Sequence, residues 1–232
     1  MAMLKLSLAF DVLAFVFFLC FIMSTGSYQY FLFVQQWPPT TCAVRKKPCY
    51  QNPPSKIFTI HGLWPSNYSK NAWVANCNGT RFSNSLSPAL ESKLKKSWPD
   101  VESGNDTDFW GREWNKHGTC SEQTLDQELY FQRSHIIWKA FNITNILQNA
   151  KILPTGSKWD YADIASPIKT VTTKMPALRC KPDPTQPKNP NNLTMPHQLL
   201  HEVVLCLHYN GRVLIDCNHT STCKNNLKIL FQ

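Results

Sequence analysis

Two histidines in this chain sit among residues that could support acid–base chemistry. His61 lies in residues 58–65 (FTIHGLWP) and His117 in residues 109–120 (FWGREWNKHGTC). In the first segment, period-two alternation puts Ile57, Thr59 and His61 on one side and Phe58 and Ile60 on the other. His61 then falls at a strand end, where a side chain can reach a cleft. In the second segment, a helix turning about 100° per residue sets Glu113, Lys116 and His117 at i, i+3 and i+4, on one face. Trp110 and Trp114 fall on a neighbouring face and are expected to pack inward. Gly118 permits the helix to end, and Cys120 could tie that end to another segment. An acid, a cation and an imidazole on one turn, with a second imidazole elsewhere, suit phosphodiester transfer. One imidazole takes a proton from an attacking ribose hydroxyl and the other gives one to the leaving oxygen. The lysine stabilises charge on the phosphate oxygens, and histidine titrates near working pH, so it can fill either role.

Spacing alone leaves other readings open. The 113–117 face also fits an ordinary solvated helix face with a Glu–Lys pair, and a lone histidine is more often structural than catalytic. A cysteine–histidine nucleophile competes, although each cysteine beyond the N-terminal segment has a disulfide role open to it. A Ser–His–Asp hydrolase would want a GxSxG elbow, which is missing. Zinc needs closely paired ligands, and no CxxC pair occurs.

The elements that must position these residues follow from pattern. Residues 28–36 alternate aromatic and apolar side chains and predict a strand ending at Trp37-Pro38-Pro39, after which Cys42 and Cys49 could close a small loop. In residues 56–64 the first half predicts a second strand. Residues 66–84 are polar and predict an irregular surface region. Residues 88–98 predict a helix, with Leu90 and Leu94 at helical spacing and Pro88 at its start. Residues 106–117 predict another, capped by Asp106 or Thr107, and 125–147 predict one or two more. Residues 181–196, rich in Pro and Asn, predict a surface loop within the domain. Residues 199–208 and 211–216 predict two strands joined at Tyr209-Asn210-Gly211, where Asn-Gly is a hairpin signal. Helices in the middle and strands at both ends give a single α+β domain.

Bulk features bound the setting. Residues 1–27 run from a positive start through an apolar stretch to small residues, and predict a cleaved secretory signal; a membrane anchor is the competing reading. Removing the first 27 of the 232 residues leaves 205 for one domain, 28–232, stapled by disulfides. Nine cysteines occur, and Cys20 leaves with the signal. The other eight, an even set in a secreted chain, read as a disulfide framework. Asn-x-Ser/Thr sequons at Asn67, Asn78, Asn105, Asn142, Asn192 and Asn218 mark candidate glycan sites at the protein's surface and predict a secreted glycoprotein. The formal charge of +9 suits a polyanionic partner.

Residues 58–65 and 109–120 closely resemble the two active-site segments of the ribonuclease T2 family. FVQQWPPTTC (33–42), SWPDV (97–101) and CLHYNGRVLIDC (206–217) resemble that family's first strand, the approach to its second active-site segment and its C-terminal strands. Within the family the chain resembles the pistil S-RNases of the rose-family type, and the polar segment after Pro65 resembles their hypervariable region. The resemblance implies an α+β fold around an antiparallel sheet, and cleavage of single-stranded RNA through a 2′,3′-cyclic phosphate without metal or other cofactor. It implies His61 as general acid and His117 as general base, with Glu113 and Lys116 supporting the phosphate and transition state. Gln36, Asp100, Val101 and Phe109 fall where relatives contact nucleotide, and Trp64 falls near the base site. Many relatives carry histidine where this chain has Arg112; arginine keeps its proton and binds phosphate, so Arg112 is expected to bind RNA. The resemblance also implies disulfides Cys42–Cys49, Cys77–Cys120, Cys180–Cys223 and Cys206–Cys217. It implies a secreted monomer with no membrane attachment, whose partners are RNA and, in the S-RNase role in self-incompatibility, pollen F-box proteins.

Overall fold

The computed structural model of the protein describes residues 28–51, 53–68, 72–186, 196–218 and 221–232. The expected signal segment and the Asn192 sequon lie outside them. Among the described residues, no helix is long and apolar enough to cross a membrane. The chain forms β1 (Tyr30–Gln36), α1 (Pro38–Ala43), β2 (Thr59–Asn67), β3 (Ala72–Trp73), α2 (Pro88–Ser97), α3 (Asp106–Lys116), a 3₁₀ turn (Gly118–Ser121), α4 (Gln127–Ala140) and α5 (Ile143–Asn149). It continues through β4 (Ser157–Trp159), α6 (Tyr161–Thr172), β5 (Ala177–Pro182), β6 (His197–His208), β7 (Leu214–Ile215) and β8 (Lys228–Phe231).

The strands make one sheet in the order β3-β2-β1-β6-β8-β4, with β5 and β7 also paired to β6. All pairings are antiparallel except β6 with β8. The sheet has two unlike faces because side chains alternate along a strand. Phe31, Phe33, Ile60, Leu63, Val203, Leu205 and Leu207 join Leu94, Trp114, Tyr130, Phe131 and Ile164 from the helices in the main core. Tyr30, Leu32, Val34, Trp64, Val204 and Cys206 form a smaller cluster on the opposite face, to which no helix contributes. Among the described residues, helices α2 to α6 all pack into the main core against one face of the sheet, and the fold is α+β, as the pattern predicts.

Among the described residues four disulfides are present, Cys42–Cys49, Cys77–Cys120, Cys180–Cys223 and Cys206–Cys217. They match the pairing implied by the family resemblance.

Several expectations are corrected. The second strand is not the first half of 56–64; it runs on through Pro65 to Asn67, because β1 pairs with it as far as Ser66 and β3 pairs with Ser66 and Asn67. Helix α3 is capped by Asn105, whose side chain accepts from the Asp108 amide at 3.1 Å; Asp106 instead accepts from the Asp100 amide. Helices α1 and α6 and strands β3, β4, β5 and β8 have no counterpart in the pattern reading. Pro167 inside α6 disguises the helix, and two of the missed strands are only three or four residues long.

The outer edge of β2 pairs with a strand only at Ser66 and Asn67. The Val74 amide serves the Pro65 carbonyl at 2.6 Å, and aromatic donors serve two carbonyls of β2 and that of Phe58 just before it. Trp138 Nε1 donates to Phe58 at 2.8 Å, Trp98 Nε1 to His61 at 3.1 Å and the Tyr130 hydroxyl to Leu63 at 2.8 Å. Tyr130 and Trp98 are fully buried, so water is not the alternative partner. Tyr130→Phe keeps the packing and orphans the Leu63 carbonyl, and is expected to cost about 1–3 kcal/mol. Urea-denaturation midpoints of the parent and variant check this, and an unchanged midpoint contradicts it.

Candidate active site

The β1–β2 register breaks at His61. Val34 faces Gly62 and Gln35 faces Ile60, so His61 is the extra residue of a bulge and not a strand-end residue as the pattern suggested. The bulge shifts the alternation: Phe58, Ile60 and then Leu63 face the main core, while Trp64 belongs to the opposite face. Bulges re-aim side chains in this way. A second break, between Arg179 and Cys180 of β5, makes His201 the extra residue of β6.

Gly62 follows His61 because no side chain fits there. A Cβ would collide with the Trp64 indole and the Glu113 carboxylate. Those two groups are joined, Trp64 Nε1 donating to Glu113 Oε2 at 2.8 Å. The Trp64 ring is thereby fixed between the two histidines. His117 stacks on it at 5.1 Å between centroids and His61 meets it edge-on at 5.0 Å. Trp73 packs against Trp64 and His117 as well.

Helix α3 ends at His117, and its end is held from the segment after β3. The Asn76 amide donates to the Lys116 carbonyl at 2.7 Å, and the Cys77–Cys120 disulfide anchors the 3₁₀ turn that follows. His117 Nδ1 faces the Val74 carbonyl at 3.4 Å. A carbonyl can only accept, so Nδ1 carries the hydrogen and Nε2 keeps a lone pair. Burial drives this imidazole's pKa down to about 3, with the Lys116 and His61 charges adding to the effect. His117 is therefore a neutral base at working pH.

His61 is pushed the other way. Burial disfavours its charge, but a 2.6 Å hydrogen bond from Nδ1 to Glu202 Oε1 and the Glu202 and Glu113 charges outweigh it, and its pKa rises. Glu202 itself is held down at about 2, its burial overcome chiefly by His61. Arg179 reaches its second oxygen at 3.3 Å and lies over the Trp64 ring at 5.3 Å. Burial raises the Glu113 pKa, against the opposing charge of His61 and the Trp64 hydrogen bond. His61, Trp64, Trp73, Arg179, Lys181, His201 and Glu202 line, with others, a cleft of about 380 Å³.

The remaining sequence-nominated residues fall in distinct places. Lys116 is exposed on α3, its charge acting on both Glu113 and His117. Phe109 lies 6.1 Å from the His61 ring. Arg112 sits 5.6 Å over Phe109 and pairs with Asp108 and Asp100. Asp100 is buried and also accepts from the Glu102 and Ser103 amides, each at 2.9 Å, and Val101 beside it is buried. These four thus form a cluster that meets His61 through Phe109. Gln36 is buried opposite Glu202 and Thr59, and its Oε1 accepts from the Thr41 hydroxyl. Sequence reasoning missed Glu202, Arg179 and His201. The available signal was Glu202 itself, an acid inside the apolar run LLHEVVLCL, since a buried carboxylate requires a partner.

These environments predict how stability depends on pH. The folded pKa of His117 (about 3) and of His201 (about 4) lie below the ordinary 6.5. The unfolded chain therefore binds more protons below pH 6.5. Their contribution is complete above 6.5 and is lost as pH falls through the folded values, by at most about 1.4 kcal/mol per pH unit per proton. Glu202 adds to the loss below about 4.5, whereas His61, with its raised pKa, contributes below 6.5 and loses that as pH rises. His117→Asn and His201→Asn are each expected to flatten the decline in unfolding free energy between pH 6.5 and 4. Denaturation curves across that range would contradict this if the slope stayed unchanged in either.

The profile of the ribonuclease T2 family matches residues 28–217. Ribonuclease 1 of Arabidopsis thaliana is 36% identical over 199 residues, covering 84% of this chain and 82% of that protein. Ribonuclease S-5 of Pyrus pyrifolia is 36% identical over 201 residues, covering 84% and 82%. A variant of RNase MC1, from bitter gourd seeds, in complex with 5′-GMP superimposes with a TM-score of 0.77 at 35% identity, covering 86% of this chain and 98% of that one.

Proposed function

Because the chain belongs to the ribonuclease T2 family and is an RNA-cleaving enzyme, we propose that it cleaves single-stranded RNA with His117 as general base and His61 as general acid. The observation that carries this reading is that the imidazoles on either side of Trp64 are pushed in opposite directions, His117 held neutral by burial and the charged form of His61 favoured by Glu202 at 2.6 Å. Groups whose environments separate their pKa values in this way take opposite proton-transfer roles. His117 Nε2 takes the proton from the ribose 2′-hydroxyl. The 2′-oxygen attacks phosphorus, the bond to the 5′-oxygen breaks, and His61 Nε2 gives its proton to that oxygen. A 2′,3′-cyclic phosphate remains. DNA lacks the attacking hydroxyl and is not cut.

Lys116 supplies positive charge at the phosphate, and Glu113 holds Trp64 at its contact with both rings. Gln36, Asp100, Val101, Phe109 and Arg112 serve the nucleotide on the His61 flank, with Arg112 binding phosphate and transferring no proton. The charge of +9 favours such a polyanion. The reaction needs no metal. The protein acts as a secreted monomeric glycoprotein after removal of residues 1–27.

The finer reading is a pistil S-RNase acting in self-incompatibility, with pollen F-box proteins as partners. Its support is the basic charge and the polar, sequon-bearing segment after Pro65. Style-restricted expression and allelic variation between plants are expected; a pistil that lacks the chain and still rejects self pollen overturns the mating role and leaves the chemistry untouched.

His61→Ala and His117→Ala are each expected to lower kcat/KM on RNA by roughly 10²–10⁴-fold. In the parent, kcat/KM should rise with pH as His117 loses its proton below 6.5, and fall as His61 loses its proton above 6.5. Steady-state cleavage assays across pH, with and without chelator, test all three points. Undiminished activity in both variants overturns the two-histidine mechanism, and loss of activity on chelation overturns its metal independence.

A further inference from the structure

We propose that Glu202 is the positioning residue of the acid: it fixes the His61 ring with Nδ1 turned inward, so that the transferable proton sits on Nε2 at the cleft. The inference rests on His61 being the acid in the reaction above.

Glu202 and His61 stand on β6 and β2, which flank β1, and they are 141 residues apart in sequence. In a regular ladder, strands two apart are too widely spaced for a short side-chain contact over the strand between them. The bulge at His61 changes the direction of its side chain, and Glu202 reaches it at 2.6 Å. Glu202 follows the second bulge residue, His201. Its two oxygens divide their work, Oε1 taking His61 Nδ1 and Oε2 taking Arg179. Glu202 is 4% exposed, so these partners, and not water, fix its orientation. Trp98 holds the backbone of His61 through its carbonyl. Ring and main chain are thus both tied, which leaves Nε2 as the free nitrogen.

The carboxylate also keeps the acid loaded. The charged and titratable groups acting on His61 are Glu202 from β6, Arg179 from β5 and Glu113 from α3, with the imidazoles of His201 and His117 coupled to it. The two carboxylates favour its proton and Arg179 opposes it. After His61 gives up its Nε2 proton, the neutral ring still donates from Nδ1 to the Glu202 carboxylate, which keeps it oriented. The imidazole is 31% exposed, so solvent can return the proton.

Glu202→Gln preserves shape and removes the charge. On RNA, kcat is expected to fall on the order of tenfold, less than the loss of a whole general acid, with KM nearly unchanged. The alkaline limb of the pH profile is expected to move to lower pH. A nucleoside 3′-(4-nitrophenyl phosphate), whose leaving group departs without a proton, should be cleaved at close to the parent rate. In a His61→Ala background Glu202→Gln should add no further loss, because both changes remove one function. Equal loss on both substrates, or the same loss repeated in the His61→Ala background, overturns the proposal and assigns Glu202 a purely structural role. If Glu202→Gln fails to fold, Arg179→Gln reads the same electrostatics with the opposite sign, moving the alkaline limb to higher pH, and an unmoved limb there overturns the proposal. Full activity of His61→Ala would instead overturn the underlying assignment of His61 as the acid.

Discussion

The site depends on how β2 is held where it departs from regular pairing. A bulge leaves a strand with an extra residue and locally disrupted hydrogen bonds, and buried main-chain groups left without partners are costly. Here Trp98 donates to the carbonyl of the bulged residue, His61, and Trp138 and Tyr130 donate to Phe58 and Leu63 on either side. All three come from the helical layer, α4 and the C-terminal end of α2. Trp98 is tied in turn, its own carbonyl accepting from Trp110 of α3 at 2.7 Å. The helices therefore do more than cover the sheet. They satisfy the strand that carries one histidine, while α3 carries the other.

Given that frame, the two imidazoles acquire opposite character from unlike surroundings. His117 faces a carbonyl, an aromatic ring and a neighbouring lysine, none of which favours a second proton strongly enough to offset burial. His61 faces a carboxylate that does. Trp64 keeps the two groups in one assembly, since it touches both rings and is fixed by Glu113. Gly62 is part of the same arrangement, because a side chain at that position would occupy the space of the Trp64–Glu113 hydrogen bond.

The disulfides act at the borders of this assembly. Cys77–Cys120 ties the chain after β3 to the turn after His117, so the segment that offers the Val74 carbonyl is anchored next to the helix it serves. Cys180–Cys223 ties Cys223 to β5 and Cys206–Cys217 ties Cys217 to β6, the strands that bring Arg179 and Glu202 to the cleft. Covalent ties of this kind limit the freedom of the unfolded chain.

Much was legible in the sequence. Aromatic alternation marks β1, leucine spacing and Pro88 mark α2, and the i, i+3, i+4 placement of Glu113, Lys116 and His117 puts them on one face of α3, because these are local periodicities of the backbone. Short strands such as β4 and β8 are too brief to show a period, and Pro167 masks α6. The sequence by itself determined the residue types able to move protons, the single α+β domain and the helical face carrying His117. Only the tertiary structure decided which groups act on which. The bulge at His61, the approach of Glu202 from 141 residues away and the opposed pKa shifts arise from strand register and burial. Those depend on contacts between distant segments, and no local period in the sequence encodes them.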